Sequence, residues 1–189
     1  METTVRHAAG RRRWVGRDLS TEPSRHLGGN GGNPRNSVSV GNGIYKSIDG
    51  GQTWSHLGLD RTERIHRILL HPGDPNVAYV AAMGQMWGEN PERGVYKTTD
   101  GGKTWRKVLS VDDKTGCGEL VMDPANPNKL IAAMWEYRRW PWFFKSGGPG
   151  SGLYKYVRWR RNLETAGLRR RVAKGRTGAN RHRHRKIES

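Results

Sequence analysis

The sequence contains a single cysteine, Cys117, and no long apolar run. One thiol excludes an intrachain disulfide framework and any metal site built from several cysteines. No stretch approaches the roughly 20 apolar residues that a membrane-spanning helix needs, so we expect no membrane span. The N-terminus carries arginines without the apolar core of a signal peptide, and the sequence as written therefore predicts no export signal.

Acidic side chains are also scarce, 17 against 34 lysines and arginines, which gives a formal net charge of +17. The imbalance is greatest at the C-terminal end, where residues 156–189 hold 12 basic side chains and 2 acidic ones. A basic arm of this kind is typical of segments that bind nucleic acid or another polyanion. The central residues, 33–155, are closer to balance, so charge does not decide their fold.

An internal repeat dominates the centre of the chain. Residues 43–54 return as residues 94–105, and both copies contain Gly-x-Tyr-Lys followed by Asp-Gly-Gly-x-Thr-Trp. A third copy begins at Gly152 and breaks off after Lys155. One period holds about four short apolar segments separated by turn residues. A repeat of this kind stacks on its neighbours, and four short strands per unit are typical of a β-propeller blade, so we expect an all-β fold.

The turn of each repeat carries a motif that we expect to be structural. Asp and Ser/Thr side chains can accept hydrogen bonds from free backbone N–H groups, and glycine can adopt a positive φ. We expect the tryptophan to pack beneath the turn. The motif residues are Ser47, Asp49, Gly51, Thr53 and Trp54 in the first copy and Thr98, Asp100, Gly102, Thr104 and Trp105 in the second.

The pattern Ser/Thr-x-Asp-x-Gly-x-Thr-Trp resembles the Asp box of BNR-repeat propellers. Over residues 33–155, the segment Asn-Pro-Arg-Asn-Ser at 33–37, the Trp-Gly pair at 87–88 and the Gly-rich segment at 146–152 resemble the sortilin (VPS10)-like propeller proteins. Members of that family are often labelled glycosyl hydrolases. The resemblance implies a propeller fold and an extracytoplasmic location for the full-length protein.

A complete propeller ring needs at least four blades of about 40–50 residues each. We expect the 189 residues of this chain to be too few for a complete ring. We therefore expect a β-propeller fragment of about two four-stranded Asp-box blades plus partial flanking blades. The remaining blades of the full-length protein would be its partners.

The two ends of the chain have two competing explanations. The Arg-rich tail is either a genuine polyanion-binding arm or a segment translated out of frame. Read one base later, the codons of residues 157–164 can encode Ser-Asp-Gly-Gly-Glu-Thr-Trp, the Asp box that the third repeat lacks. The same step lets residues 25–32 encode Val-Ile-Trp-Val-Gly-Thr-Gly-Glu and residues 180–186 encode alternating Ile and Ala.

A shift of reading frame at both ends would divide the chain into three segments. We expect residues 1–32 to be a non-native or disordered segment, residues 33–155 to form the Asp-box blades, and residues 156–189 to be an Arg-rich disordered tail. Both ends are then out of frame, and nucleic acid is a partner only if the basic tail is genuine.

The long loops at 84–93, 109–115 and 136–151 are expected to share one face of the ring, because successive turns of a blade alternate between faces. This face is rich in side chains that suit stacking on a sugar ring or binding a peptide. In the alternative, the aromatic residues cover the interface between blades. The binding candidates are Trp87, Glu89, Glu136, Arg138, Arg139, Trp140, Trp142 and Phe143.

No catalytic residue is assigned, because glycoside hydrolysis needs two carboxylates across one bond and the spacing of Glu89, Glu92 and Glu136 marks no pair. No cofactor and no metal site are expected. The predicted function is a recognition surface for a peptide or carbohydrate ligand in a sortilin-like propeller. The alternatives are a fragment of a propeller glycoside hydrolase, of the xyloglucanase or sialidase type, and polyanion binding through the tail.

The frame hypothesis makes a direct prediction about the gene. We expect the coding DNA beyond codon 156 to continue with further Asp boxes in the frame shifted by one base. Sequencing the locus tests this expectation. Stop codons in that frame, with no Ser/Thr-x-Asp-x-Gly-x-Thr-Trp pattern, would contradict it.

Overall fold

The computed structural model describes residues 15–18, 25–29 and 40–157, which form three antiparallel sheets that we call blades 1, 2 and 3. Blade 1 consists of β1 Val15–Asp18, β2 His26–Gly29, β3 Ile44–Ser47 and β4 Ser55–His56. Blade 2 consists of β5 Ile65–His71, β6 Asp74–Ala82, β7 Gly94–Thr98 and β8 Arg106–Leu109. Blade 3 consists of β9 Thr115–Asp123, β10 Asn126–Arg139, β11 Phe144–Ser146 and β12 Gly152–Val157.

The prediction of an all-β propeller fragment is confirmed. Blades 1 and 2 each contain four strands in sequential order. In blade 3, β10 pairs with both β9 and β12, and its far end forms a hairpin with β11. Among the described residues, no helix is long and apolar enough to cross a membrane.

Blade 1 takes two strands from residues 1–32, the segment expected to be non-native or disordered. β2 pairs with β3 from His26–Ser47 to Gly29–Ile44, and Leu27 is buried. These described residues are therefore part of a packed sheet. The reading frame and the boundary at residue 33 stay predictions, and residues 158–189 of the tail lie outside the described residues.

Side chains alternate along each strand, so a blade has two faces to cover. In blade 2, Ile68, Val80 and Tyr96 are register partners across β5, β6 and β7. They form one buried cluster with Leu27 and Ile44 of blade 1. Burying a large apolar side chain contributes about 1.5–3 kcal/mol, so this interface is a main source of stability.

The opposite face of blade 2 packs against blade 3. Leu69 and Tyr79, which are adjacent to Ile68 and Val80 in their strands and point to the other face, are buried together with Leu120 and Leu130 of blade 3. Cys117 lies in the same cluster, and its burial raises the pKa of the thiol to about 12. Blade 2 is therefore covered on both faces.

The first Asp box closes the turn after β3. The Ser47 hydroxyl accepts a hydrogen bond from the Gly51 N–H at 2.8 Å, and Asp49 accepts from both the N–H and the hydroxyl of Thr53. Gly51 has a φ of 90°, which a residue with a Cβ rarely adopts. The indole N–H of Trp54 donates to the Gly51 carbonyl and fixes the ring against the turn.

The second Asp box repeats this geometry and also contacts blade 1. Asp100 accepts from the N–H of Thr104 at 3.0 Å and from its hydroxyl at 2.6 Å, and the Thr98 hydroxyl accepts from the Gly102 N–H at 2.9 Å. The indole N–H of Trp105, however, donates to the Leu57 carbonyl at 2.8 Å, in the chain that follows β4. This box therefore joins two blades as well as closing its own turn.

The Asp boxes predict how stability depends on pH. Hydrogen bonds, first from the threonine hydroxyls, hold the pKa of Asp49 and of Asp100 well below the usual range. A carboxyl group whose pKa is depressed by folding stabilises the fold above its unfolded pKa of about 3.9 and loses that effect as the pH falls. We expect the free energy of unfolding to decrease as the pH is lowered from about 5 toward 2.

The double variant Asp49→Asn and Asp100→Asn should show a shallower pH dependence in urea denaturation, because it removes both depressed carboxyl groups. Asp60→Asn, at an exposed carboxylate outside the boxes, is the matched control. An unchanged slope in the double variant would show that the boxes do not carry the effect.

Candidate ligand-binding site between blades 2 and 3

A buried arginine organises the loops where blades 2 and 3 meet. Arg93, at the end of the loop between β6 and β7, has no exposed surface. Its guanidinium donates to four backbone carbonyl oxygens from three segments of the chain. They belong to Gln85 (2.7 Å), Gly88 (3.0 Å), Lys114 and Tyr137 (3.1 Å). Burial lowers the pKa of Arg93, and these carbonyl oxygens replace the lost hydration of the cation.

Tyr137 of β10 completes this arrangement. Its ring lies 4.3 Å from the Arg93 guanidinium carbon, and its hydroxyl donates to the carbonyls of Met83 at 3.1 Å and Gly84 at 2.9 Å. A Cβ on Gly84 would come within 2.4 Å of the Arg93 side chain. The close approach of the two segments therefore requires glycine at residue 84.

The Gly-rich segment before β12 wraps around Glu136. The Glu136 N–H donates to the Ser151 hydroxyl at 2.9 Å, and its carbonyl accepts from the Gly147 N–H at 2.8 Å. Its buried carboxylate accepts from Lys145 Nζ at 2.7 Å. This hydrogen bond is the main reason that the pKa of Glu136 is lowered. A Cβ on Gly148 would overlap the carboxylate at 2.0 Å, so the segment must be glycine-rich to enclose this side chain.

These loops border a cavity of about 200 Å³. Its charged groups are mostly paired: Lys145 contacts Glu136 at 2.7 Å, and Lys114 lies 3.7 Å from Glu89. Arg138 stacks on Trp140, with its guanidinium carbon 4.6 Å from the ring centroid. The cavity is lined by Gly88, Glu89, Lys114, Glu136, Tyr137, Arg138, Trp140 and Lys145.

Aromatic side chains cover the tip of the hairpin between β10 and β11. Trp140 and Phe143 exchange backbone hydrogen bonds of 2.7 and 3.3 Å, and their rings lie 5.9 Å apart. Trp142 is 83% exposed and Phe143 is 57% exposed. Beneath the tip, Trp135 stacks on Tyr137 at 5.0 Å. The tip therefore presents open aromatic rings on a packed base.

The eight binding candidates divide into two groups. Four of them line the cavity: Glu89, Glu136, Arg138 and Trp140. The other four lie outside it. Trp87, Trp142 and Phe143 are exposed beyond the cavity, and Arg139 stacks on Phe144 at 4.9 Å while its N–H donates to the Met86 carbonyl. Because Trp142 and Phe143 are exposed, these two rings do not cover the interface between blades 2 and 3.

Sequence reasoning did not select Arg93, Lys114, Tyr137 or Lys145. Lys145 lies in the aromatic loop, where its charge was a usable signal. Arg93 directly precedes the repeated Gly-x-Tyr-Lys, where the other two copies have Asn42 and Ser151. An arginine in only one copy of a repeat was the signal that could have identified it.

Comparison with known proteins identifies the family. A family model described as "Sortilin, neurotensin receptor 3" matches residues 42–146, more than half of the chain. The chain belongs to the Sortilin-Vps10 family. The matched residues include all of blade 2, both Asp boxes and the hairpin of the candidate site. Among curated proteins, none matches the chain significantly.

Solved structures similar to this Sortilin-Vps10 chain include GH74 enzymes. The GH74 enzyme from Niastella koreensis is 23% identical, with a TM-score of 0.49 over 71% of this chain and 18% of that chain. The GH74 xyloglucanase from Xanthomonas campestris is 16% identical, with a TM-score of 0.48 over 77% of this chain and 23% of that chain. The chain thus spans less than a quarter of either protein.

Arg93 provides a test of how the site is held together. Replacing Arg93 with methionine removes the donors and leaves several buried carbonyl oxygens without partners, so we expect a loss of about 3 kcal/mol or more in the free energy of unfolding. Arg93→Lys should recover only part of it, because an ammonium group cannot reach all four oxygens. Urea denaturation measures both effects.

The matched control is Arg61→Met, since Arg61 is an exposed arginine in the short helix Asp60–Thr62. It should change the free energy of unfolding by no more than about 0.5 kcal/mol. Equal stability of Arg93→Met and Arg61→Met would mean that Arg93 does not hold these loops.

Proposed function

We propose that the chain forms part of a ligand-recognition surface in a larger Sortilin-Vps10 propeller, and that the ligand is a peptide or a glycan bound between blades 2 and 3. The observation that carries the proposal is the position of open aromatic rings beside a charged cavity. Trp142 and Phe143 are exposed at the hairpin tip, and Trp140 lines the cavity.

The shape and chemistry of this surface support recognition of an extended ligand. Exposed aromatic rings can stack on the apolar face of a sugar or pack against a peptide side chain. The cavity beside them offers lysine and glutamate side chains together with Arg138, all able to hydrogen-bond hydroxyl, amide or carboxylate groups. The Arg93 hydrogen bonds hold the loops in place before binding, which lowers the entropy cost of association.

The ionisation state of Glu136 favours recognition over hydrolysis. A glycosidase general acid needs a raised pKa so that it is protonated at neutral pH. The pKa of Glu136 is shifted in the opposite direction by Lys145, and Glu89 lies near Lys114. The Lys145 ammonium group therefore favours the ionised form of Glu136, in which this carboxylate cannot act as a general acid.

The proposal is tested by binding to peptide and glycan arrays, followed by titration calorimetry with the strongest ligand. The glycan set should include xyloglucan and sialylated oligosaccharides. Trp142→Ala is expected to weaken binding about tenfold, equivalent to ~1.4 kcal/mol, because it removes an exposed stacking surface without disturbing the core. Trp140→Ala should weaken it further.

Ile48→Ala is the matched control, because Ile48 is an exposed apolar residue at the first Asp box, away from the cavity. It should bind with unchanged affinity. An equal loss in Ile48→Ala and Trp142→Ala would contradict the proposed site. Release of sugar products by the chain, abolished by both Glu89→Gln and Glu136→Gln, would replace recognition with the hydrolase alternative.

A further inference from the structure

Three charged side chains lie on one face of the hairpin formed by β10 and β11. Glu136 and Arg138 are two residues apart in β10, so their side chains point to the same face. Arg138 and Lys145 are register partners across the hairpin. Like charges directly opposite each other on paired strands are destabilising. All three residues line the cavity, so this wall holds two cations and only one carboxylate.

The carboxylate of this wall is already used by Lys145. Lys145 Nζ donates to Glu136 at 2.7 Å, and the Gly150 N–H donates to the same carboxylate at 3.3 Å. Arg138 instead stacks on the Trp140 ring, and its buried Nε has no acceptor among the described residues. A guanidinium is always charged and carries five N–H donors. The cavity therefore offers the charge of Arg138 to an anionic group of a ligand.

The other charged groups of the cavity suit hydroxyl groups. Glu89 and Lys114 line it and are both exposed. Lys114 Nζ lies 3.7 Å from the Glu89 carboxylate, which is beyond hydrogen-bond distance. A carboxylate accepts a hydrogen bond from a hydroxyl, and an ammonium group donates one to it. Neighbouring hydroxyls of a sugar can therefore bind both side chains, whereas an acidic peptide would bring only further carboxylates toward Glu89.

The size of the cavity matches one sugar unit of a longer chain. Its volume of about 200 Å³ lies below the roughly 300–1,000 Å³ that is typical of pockets for drug-sized ligands. The exposed rings of Trp142 and Phe143 lie beyond the cavity and can stack on other sugars of the same chain. A glycan can thus occupy the cavity and the hairpin tip together.

We propose that the cavity binds one uronic acid unit of an acidic glycan, with the carboxylate of the sugar on Arg138 and its hydroxyls on Glu89 and Lys114. This inference rests on the proposed recognition function and specifies its ligand. Stacking on Trp140 fixes the guanidinium, so less conformational entropy is lost when its paired N–H groups bind a carboxylate.

Titration calorimetry of the full chain with three matched ligands tests the proposal. Tetragalacturonate carries a carboxylate on each sugar, where galactotetraose of the same linkage carries a hydroxymethyl group. Tetragalacturonate should bind at least about tenfold more tightly, because only its carboxylates can pair with Arg138. Tetraglutamate blocked at both ends has the same number of carboxylates without the hydroxyls, so it should bind about tenfold more weakly than tetragalacturonate.

Two variants locate the effect. Arg138→Gln should lower the affinity for tetragalacturonate about tenfold and leave that for galactotetraose unchanged. Arg138→Lys keeps the charge without the paired N–H groups, so its affinity should lie between the two. Arg61→Gln is the matched control, because it removes an exposed arginine outside this cavity and lowers the net charge equally. It should bind tetragalacturonate as the unaltered chain does. Urea denaturation checks that each variant is folded.

Four outcomes would overturn the inference, and they differ in what they leave standing. Equal affinity for tetragalacturonate and galactotetraose would show that no carboxylate is recognised. Equal losses in Arg138→Gln and Arg61→Gln would show that only long-range charge matters. Tighter binding of tetraglutamate would assign the cavity to an acidic peptide. In these three cases the proposed recognition surface stands if Trp142→Ala still weakens binding. Failure of every glycan and peptide to bind would contradict both proposals.

Discussion

Blade 2 is an antiparallel sheet with apolar residues on both faces, and its requirement for a neighbour on each side governs the structure. Strand alternation places Ile68, Val80 and Tyr96 on one face of blade 2 and Leu69 and Tyr79 on the other. A single sheet of this composition cannot bury both sets by itself. Stacking is therefore the source of the core, and the repeat in the sequence is its direct signature.

The candidate ligand site is a consequence of the same stacking. The loop between β6 and β7 belongs to blade 2, and Tyr137 belongs to blade 3. Arg93 joins them by donating to carbonyl oxygens on both sides. A buried cation without a carboxylate partner is costly unless hydrogen bonds replace its hydration. The loops therefore have this geometry only while the two blades are docked, which couples the shape of the candidate site to the integrity of the propeller.

The sequence was sufficient for the parts of the fold that repeat. The Asp-box turns at Asp49 and Asp100 and the strands leading into them follow from local patterns, since their hydrogen bonds span four residues or fewer. The contacts between blades were not predictable in this way. Trp105 donates to the Leu57 carbonyl 48 residues earlier, although the equivalent Trp54 donates within its own turn.

The site was predictable only in part for a related reason. Aromatic and charged residues in long loops indicated four of the residues that line the cavity. The role of Arg93 depends on carbonyl oxygens from residues 5 to 44 positions away, which no spacing rule reveals. The N-terminal strand β2 was missed because His26–Gly29 lacks the apolar alternation of the other strands, and it is held by pairing with β3.

Hydrogen exchange of the full chain, read residue by residue, tests the stacked-blade account most directly. Amides in β6 and β10 lie in central strands with ladder partners on both sides. They should exchange slowest, and residues 78–82 and 130–134 should be protected to a similar degree because they share one interface. Rapid exchange in both segments, or strong protection of one with none of the other, would contradict the account.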